Sequence, residues 1–163
     1  MSRTRIGTVL ATALTAAAVV SLALVLSLAA TAAATPSAAT ARAKPAKIRL
    51  RNTGVGKILV SNRGFTLYAF AKDSRRKDRC VKISGCIGIW PMTTTHGKPL
   101  AGPGVNKSLL GTIKVHGKTQ VTYAGRPLYG YIADTSPGST SYVGVSQFGG
   151  VWRAVKASGK TVG

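Results

Sequence analysis

Gly64-Phe65-Thr66-Leu67-Tyr68-Ala69-Phe70-Ala71-Lys72-Asp73 returns later in the chain as Gly125-Arg126-Pro127-Leu128-Tyr129-Gly130-Tyr131-Ile132-Ala133-Asp134. Glycine, leucine, tyrosine, a second aromatic and aspartate hold the same places in both copies, and Val60 and Val121 precede them at the same offset. A tryptophan follows each copy at nearly the same distance, Trp90 after Asp73 and Trp152 after Asp134. Self-similarity at one period marks a supersecondary unit used twice. The chain holds only three acidic residues, Asp73, Asp78 and Asp134, so two of the three sit at equivalent positions.

Each copy has the pattern of a β-hairpin. In the first, β-branched residues over 57–61 run into the turn signal Asn62-Arg63-Gly64 and an extended pattern resumes over 65–70. In the second, 120–123 leads through Ala124-Gly125 into 126–131. Gly64 and Gly125 are expected at positive φ, which other residues resist. Further strands are expected before each hairpin, at 48–51 and 112–115, and around each tryptophan, at 87–90 and 151–155. No sustained 3.6-residue periodicity follows residue 47, so the fold class is all-β. The expected architecture is one small domain over 48–163 made of two quasi-equivalent antiparallel hairpin repeats, 48–95 and 110–157.

Strand parity puts Tyr68 and Phe70 on one face and Leu67, Ala69 and Ala71 on the other, with Tyr129 and Tyr131 paired likewise. Asp73 and Asp134 each come shortly after the second aromatic, where the strand is expected to have ended. Each is expected to cap a turn by accepting backbone N–H bonds, ionised and paired with a nearby Lys or Arg.

Residues 1–34 have the order of a secretory signal peptide: Arg3 and Arg5, a long Ala/Val/Leu stretch, then small-residue cleavage sites. The competing reading is an N-terminal membrane anchor. Residues 35–47, rich in Ala and Pro, suit a flexible linker. Cleavage after Ala34 takes away two of the 23 Lys and Arg and no acid, leaving 21 against three Asp, a net charge of +18. Such a balance draws a protein toward polyanions. Outside a cell these are anionic cell-wall polymers, anionic lipid surfaces and released nucleic acid. The densest basic run is 72–82, where Lys72, Arg75, Arg76, Lys77, Arg79 and Lys82 outnumber Asp73 and Asp78. In an exported protein the lone cysteine pair, Cys80 and Cys86, is most simply a disulfide. A metal or redox module built on Cys80, Cys86 and His96, with Met92 or His116, is the alternative.

Tyr-x-Phe-x-x-Asp at Tyr68 and Tyr-x-Tyr-x-x-Asp at Tyr129, together with Cys80 and Cys86 ahead of Trp90-Pro91 and the run Phe148-Gly149-Gly150-Val151-Trp152, resemble the bacterial secreted repeat proteins known as lipoproteins with a Yx(FWY)xxD motif. The resemblance spans 55–157. It implies an exported tandem-repeat envelope protein of uncharacterised activity whose motif residues are structural. The chain departs from the family name in lacking a lipid-accepting cysteine near the leader, and it is unusually basic.

Catalytic chemistry finds little support. The two histidines, His96 and His116, sit beside glycine in loop-like contexts, and no nucleophile elbow surrounds a serine. Tyr68, Phe70, Trp90, Tyr129, Tyr131 and Trp152 fit core positions of a small β domain, the other possibility being a stacking platform for sugars or bases. The sequence thus leads to the expectation of a non-enzymatic envelope protein without a cofactor, held by charge to an anionic polymer or lipid surface.

Overall fold

The structure, a computed structural model, describes residues 43–163. The expected signal peptide and most of the linker lie outside the described residues. Ten strands carry the fold: β1 (Lys47–Thr53), β2 (Gly56–Ser61), β3 (Tyr68–Phe70), β4 (Leu100–Ala101), β5 (Leu110–Val115), β6 (Lys118–Tyr123), β7 (Arg126–Pro127), β8 (Ser146–Gln147), β9 (Gly150–Val155) and β10 (Thr161–Val162). They form three small sheets, ordered β2-β1-β4, β10-β9-β3 with β8 also on β9, and β5-β6-β7. Pairing is antiparallel except between β1 and β4.

The longest hairpin of each repeat forms one step earlier than the motif pattern suggests. β1 pairs with β2 from Ile48↔Ser61 to Thr53↔Gly56, and β5 pairs with β6 from Leu110↔Tyr123 to Val115↔Lys118. The expected motif hairpins exist but are short. Val60 bridges Thr66, while Thr122 pairs with Pro127 and Tyr123 with Arg126. Gly64 and Gly125 close these turns at φ 89° and 78°. A Cβ on Gly64 would stand 3.0 Å from Pro137 Cβ, and one on Gly125 would stand 2.8 Å from Arg75 Cγ. Conformation and space both call for glycine there.

Beyond Leu67 and Leu128 each chain leaves its own hairpin and crosses to the other repeat. In β3, Tyr68, Ala69 and Phe70 pair with Ala154, Arg153 and Trp152 of β9, in the second repeat. Reciprocally, the second motif segment pairs with the chain around Trp90 of the first: Ile132 N–H donates to Ile89 O at 3.1 Å, Gly130 N–H to Pro91 O at 2.9 Å and Thr93 N–H to Leu128 O at 2.9 Å. The two exchanges meet where Tyr68 and Tyr129 bond each other's backbone, N–H to O, at 2.9 and 3.0 Å. This mutual bridge is the pseudo-twofold centre of the molecule.

The predicted strand over 87–90 is instead one helical turn, α1 (Cys86–Ile89). The turn opens on the second cysteine of a closed loop. A disulfide joins Cys80 to Cys86 with their Cα atoms 5.4 Å apart, whereas six extended residue steps would cover about 20 Å. The chain coils back through a 3-10 turn at Cys80–Lys82, passes Gly85 at φ 77° and enters α1, with Trp90 N–H closing on Cys86 O at 2.8 Å.

Alternation of side chains produces two cores. Ile48, Leu59, Leu67, Ala69, Val121, Tyr123, Leu128 and Val155 fill an aliphatic one, and Tyr68, Phe70, Cys80, Cys86, Trp90, Tyr129 and Trp152 an aromatic one. Leu67 and Ala69 thus separate from Tyr68 and Phe70 as parity requires, but Ala71 is exposed because the strand has ended.

Because each motif strand finds its partner in the other half, neither half alone can pair its motif strand or close the aromatic core. Fragments covering 43–105 and 106–163 are therefore expected to lack dispersed amide resonances separately and to gain them on mixing, the disulfide being kept intact. A separately folded fragment would contradict the exchange.

Candidate functional site

The tyrosines and aspartates of the motif hydrogen-bond across repeats, not within them. The Tyr68 hydroxyl donates to Asp134 Oδ2 at 3.1 Å, and the Tyr129 hydroxyl donates to Asp73 Oδ2 at 2.7 Å. Each aspartate also closes a turn behind its own aromatic, Asp73 N–H on Phe70 O at 3.0 Å and Asp134 N–H on Tyr131 O at 3.3 Å. Asp73 caps a turn as expected, its Oδ1 accepting the Arg79 N–H at 2.7 Å. Asp134 differs, since the donor to its carboxylate is a tyrosine hydroxyl rather than a backbone amide. Tyrosine hydroxyls, not the expected Lys or Arg, bond both carboxylates, with Ser139 also beside Asp134.

Burial pushes the Asp73 carboxyl up to about 6, against the lowering effects of the Arg79 N–H and the Tyr129 hydroxyl. Burial likewise raises Asp134. Both tyrosine hydroxyls lie well above the usual tyrosine range, through burial first and the adjacent carboxylate second.

Around these locks the aromatic rings form a crossed stack. The tryptophans lie face to face, centroids 3.9 Å apart and planes 2° from parallel. Phe70 of the first repeat stacks on Trp152 of the second at 4.3 Å, and Tyr131 of the second lies on Trp90 of the first at 4.3 Å. Tyr68 and Tyr129 stand edge-on to Trp90 and Trp152, each at 5.1 Å. Trp90, Trp152, Tyr68, Tyr129 and Phe70 are all fully buried, so none of these five rings offers a free face to a sugar or base. Gln147, absent from the motif, accepts from both indoles: Trp90 Nε1 donates to its side-chain Oε1 at 2.7 Å and Trp152 Nε1 to its backbone O at 3.3 Å. It occurs once per chain, outside the duplicated pattern, which is why comparing the two copies does not reveal it.

The disulfide removes the thiolates on which the metal or redox alternative depended. Met92 packs against the aromatic core, whereas His96 and His116 are exposed in separate loops. Among the described residues no three His, Cys, Asp or Glu side chains are grouped to hold a metal ion.

The basic run 72–82 divides. Lys72 leans against Gly149 and Gly150, and Arg75 lies over Gly125. Arg76, Lys77, Arg79 and Lys82 instead line a cleft of about 410 Å³, faced from the β5–β6 hairpin by Lys114 and His116. Two bonds hold this loop in place: Arg76 N–H to Gly125 O at 2.7 Å, and Arg79 N–H to the locked Asp73. The lock residues therefore position the basic loop without lining its cleft. Asp78 is the single acid at the cleft; it is buried, with Oδ1 accepting the Val81 N–H at 2.9 Å.

The family model for a secreted repeat of unknown function matches residues 50–94 and again 112–156. The chain belongs to this family. Each match runs from the first hairpin of a repeat past its tryptophan, so the secreted repeat is the unit whose motif strand is exchanged. The family description agrees with an extracellular or envelope location. No curated protein and no solved structure matches the chain. Among the described residues no helix is long and apolar enough to cross a membrane.

Two measurements probe the locks. In a double-mutant cycle, Tyr129→Phe should cost about 1–3 kcal/mol by taking one hydrogen bond from the half-buried Asp73 carboxylate, and Asp73→Asn should recover much of that loss. The pH dependence follows from the sign of the shift. A carboxyl whose folded value is raised adds stability that is complete below the unfolded value near 4 and is lost as pH rises through about 6. Melting temperature should therefore climb on acidification from neutral pH toward about 4.5, and Asp73→Asn should flatten that rise.

Proposed function

We propose that this secreted repeat protein is a non-enzymatic component of the cell envelope that docks on anionic envelope polymers or anionic lipid through its basic loop, after cleavage of its leader. The observation that carries this reading is the convergence of Arg76, Lys77, Arg79 and Lys82 on one cleft. A solvated surface that served only solubility would have no reason to gather its cations around a hollow. Guanidinium groups present several donors in a fixed fork that matches phosphate and carboxylate oxygens, while lysines act as point charges.

The non-enzymatic part rests on where the polar groups are engaged. Asp73 and Asp134 are held by tyrosine hydroxyls in separate locks, so they are not a carboxylate pair sharing a cleft. Nucleic acid would find no stacking platform in the buried rings of Tyr68, Phe70, Trp90, Tyr129 and Trp152.

Sedimentation with purified envelope polymer at rising salt tests the reading. Binding should be strong at about 0.05 M salt and largely lost by about 0.5 M, as screening shortens the reach of the charges. Arg79→Gln with Lys82→Gln should shift release to lower salt with little change in melting temperature. Retention insensitive to both salt and these substitutions would refute charge docking.

A further inference from the structure

Lys114 borders three hollows at once. On one side is the cleft of the basic loop. On the other are a hollow of about 560 Å³ lined by His96, Lys118 and Thr119, and one of about 400 Å³ lined by Lys98 and Pro99. The Lys114 ammonium is held by Thr119 Oγ1 at 2.6 Å, its cross-strand neighbour in the β5–β6 pair. The three hollows thus adjoin around one hairpin and share the Lys114 cation where they meet.

We propose that these hollows form one cationic track that binds a linear polymer carrying a phosphate, and no nucleobase, in each repeat unit. The track starts on the basic loop of the first repeat, passes the hairpin that opens the second, and ends on the connector at Lys98. This inference rests on the polyanion reading above and extends it to Lys98, Lys114 and Lys118.

Charge, shape and surface chemistry support it. The four cations of the basic loop are joined along the track by Lys98, Lys114 and Lys118, and the single acid there is the buried Asp78. Charges spread along successive hollows suit an extended chain whose phosphates recur, whereas a compact anion would occupy one hollow. A bilayer is a poor fit. Its surface cannot enter concave hollows, and the described residues expose just two large apolar side chains, Leu100 and Ile132, neither of which lines the track. Bases would find no free ring of the buried aromatic core to stack on.

The test measures binding of the disulfide-intact protein to linear inorganic polyphosphate, short and long, to phosphatidylglycerol vesicles and to a single-stranded oligonucleotide. Three double variants are compared: Lys114→Gln/Lys118→Gln on the track, Arg79→Gln/Lys82→Gln on the basic loop, and Lys47→Gln/Lys57→Gln as a charge-matched control outside it. The inference expects long polyphosphate to bind at least tenfold more tightly per molecule than short. It expects the Lys114/Lys118 pair to weaken the long chain about tenfold, steepest at low salt, while the control pair changes it little. If the basic-loop pair abolishes binding and the Lys114/Lys118 pair changes nothing, the track is wrong and the loop site stands. Equal losses in all three variants, or tighter binding to vesicles or the oligonucleotide, also overturn the track. Failure of the wild type to bind any of the polyanions overturns both readings.

Discussion

The stacked tryptophans and the two crossed tyrosine–aspartate bonds are the constraint on which the rest of the molecule depends. Trp90 and Trp152 lie 3.9 Å apart on the pseudo-twofold centre, and each is sandwiched by the second aromatic of the opposite repeat. A small β domain of this length has limited apolar surface to bury, so large rings contribute heavily to its stability. The rings alone would tolerate sliding. The hydroxyl-to-carboxylate bonds fix the register, because a shifted strand would take the tyrosine hydroxyl from the buried Asp134 carboxylate and from the half-buried Asp73.

Exchange of strands between repeats follows from the size of the unit. One hairpin of about six-residue strands cannot cover its own aromatic face, and an isolated hairpin is marginal in water. Two copies solve this by each lending the motif strand to the other, as β3 does to β9. The duplication is therefore a requirement of the fold, since one copy has no partner for Tyr68 or Phe70.

Much of this was legible in the residues. The constant offset between the copies announced paired modules, and alternation separated Leu67 and Ala69 from Tyr68 and Phe70 correctly. Gly64 and Gly125 marked turns because few other residues accept positive φ. Pairing partners were not legible, since nothing local in Tyr68 says that its hydroxyl reaches a carboxylate in the other repeat. The turn at α1 was misread because Ile87 and Ile89 favour strands, a weak preference that the tertiary setting after the disulfide-bonded Cys86 overrides. Of the basic run, the residues facing the cleft could not be told from Lys72, because the division depends on where the β5–β6 hairpin lies.

The scarcity of acids links the scaffold to its surface. All three aspartates are drawn inward: Asp78 and Asp134 are buried, and Asp73 is half-buried against Tyr129. The side chains left on the surface of the described residues are therefore cationic wherever they are charged. Burying a carboxylate is unfavourable, and the raised values at Asp73 and Asp134 express that cost. The same burial withholds negative charge from the basic loop, where an exposed aspartate would pair with Arg76 or Arg79 and compete with an incoming anion. Asp73 joins the two roles in one side chain. One oxygen accepts the hydroxyl that locks the repeats, and the other accepts the Arg79 N–H that sets the loop against its cleft.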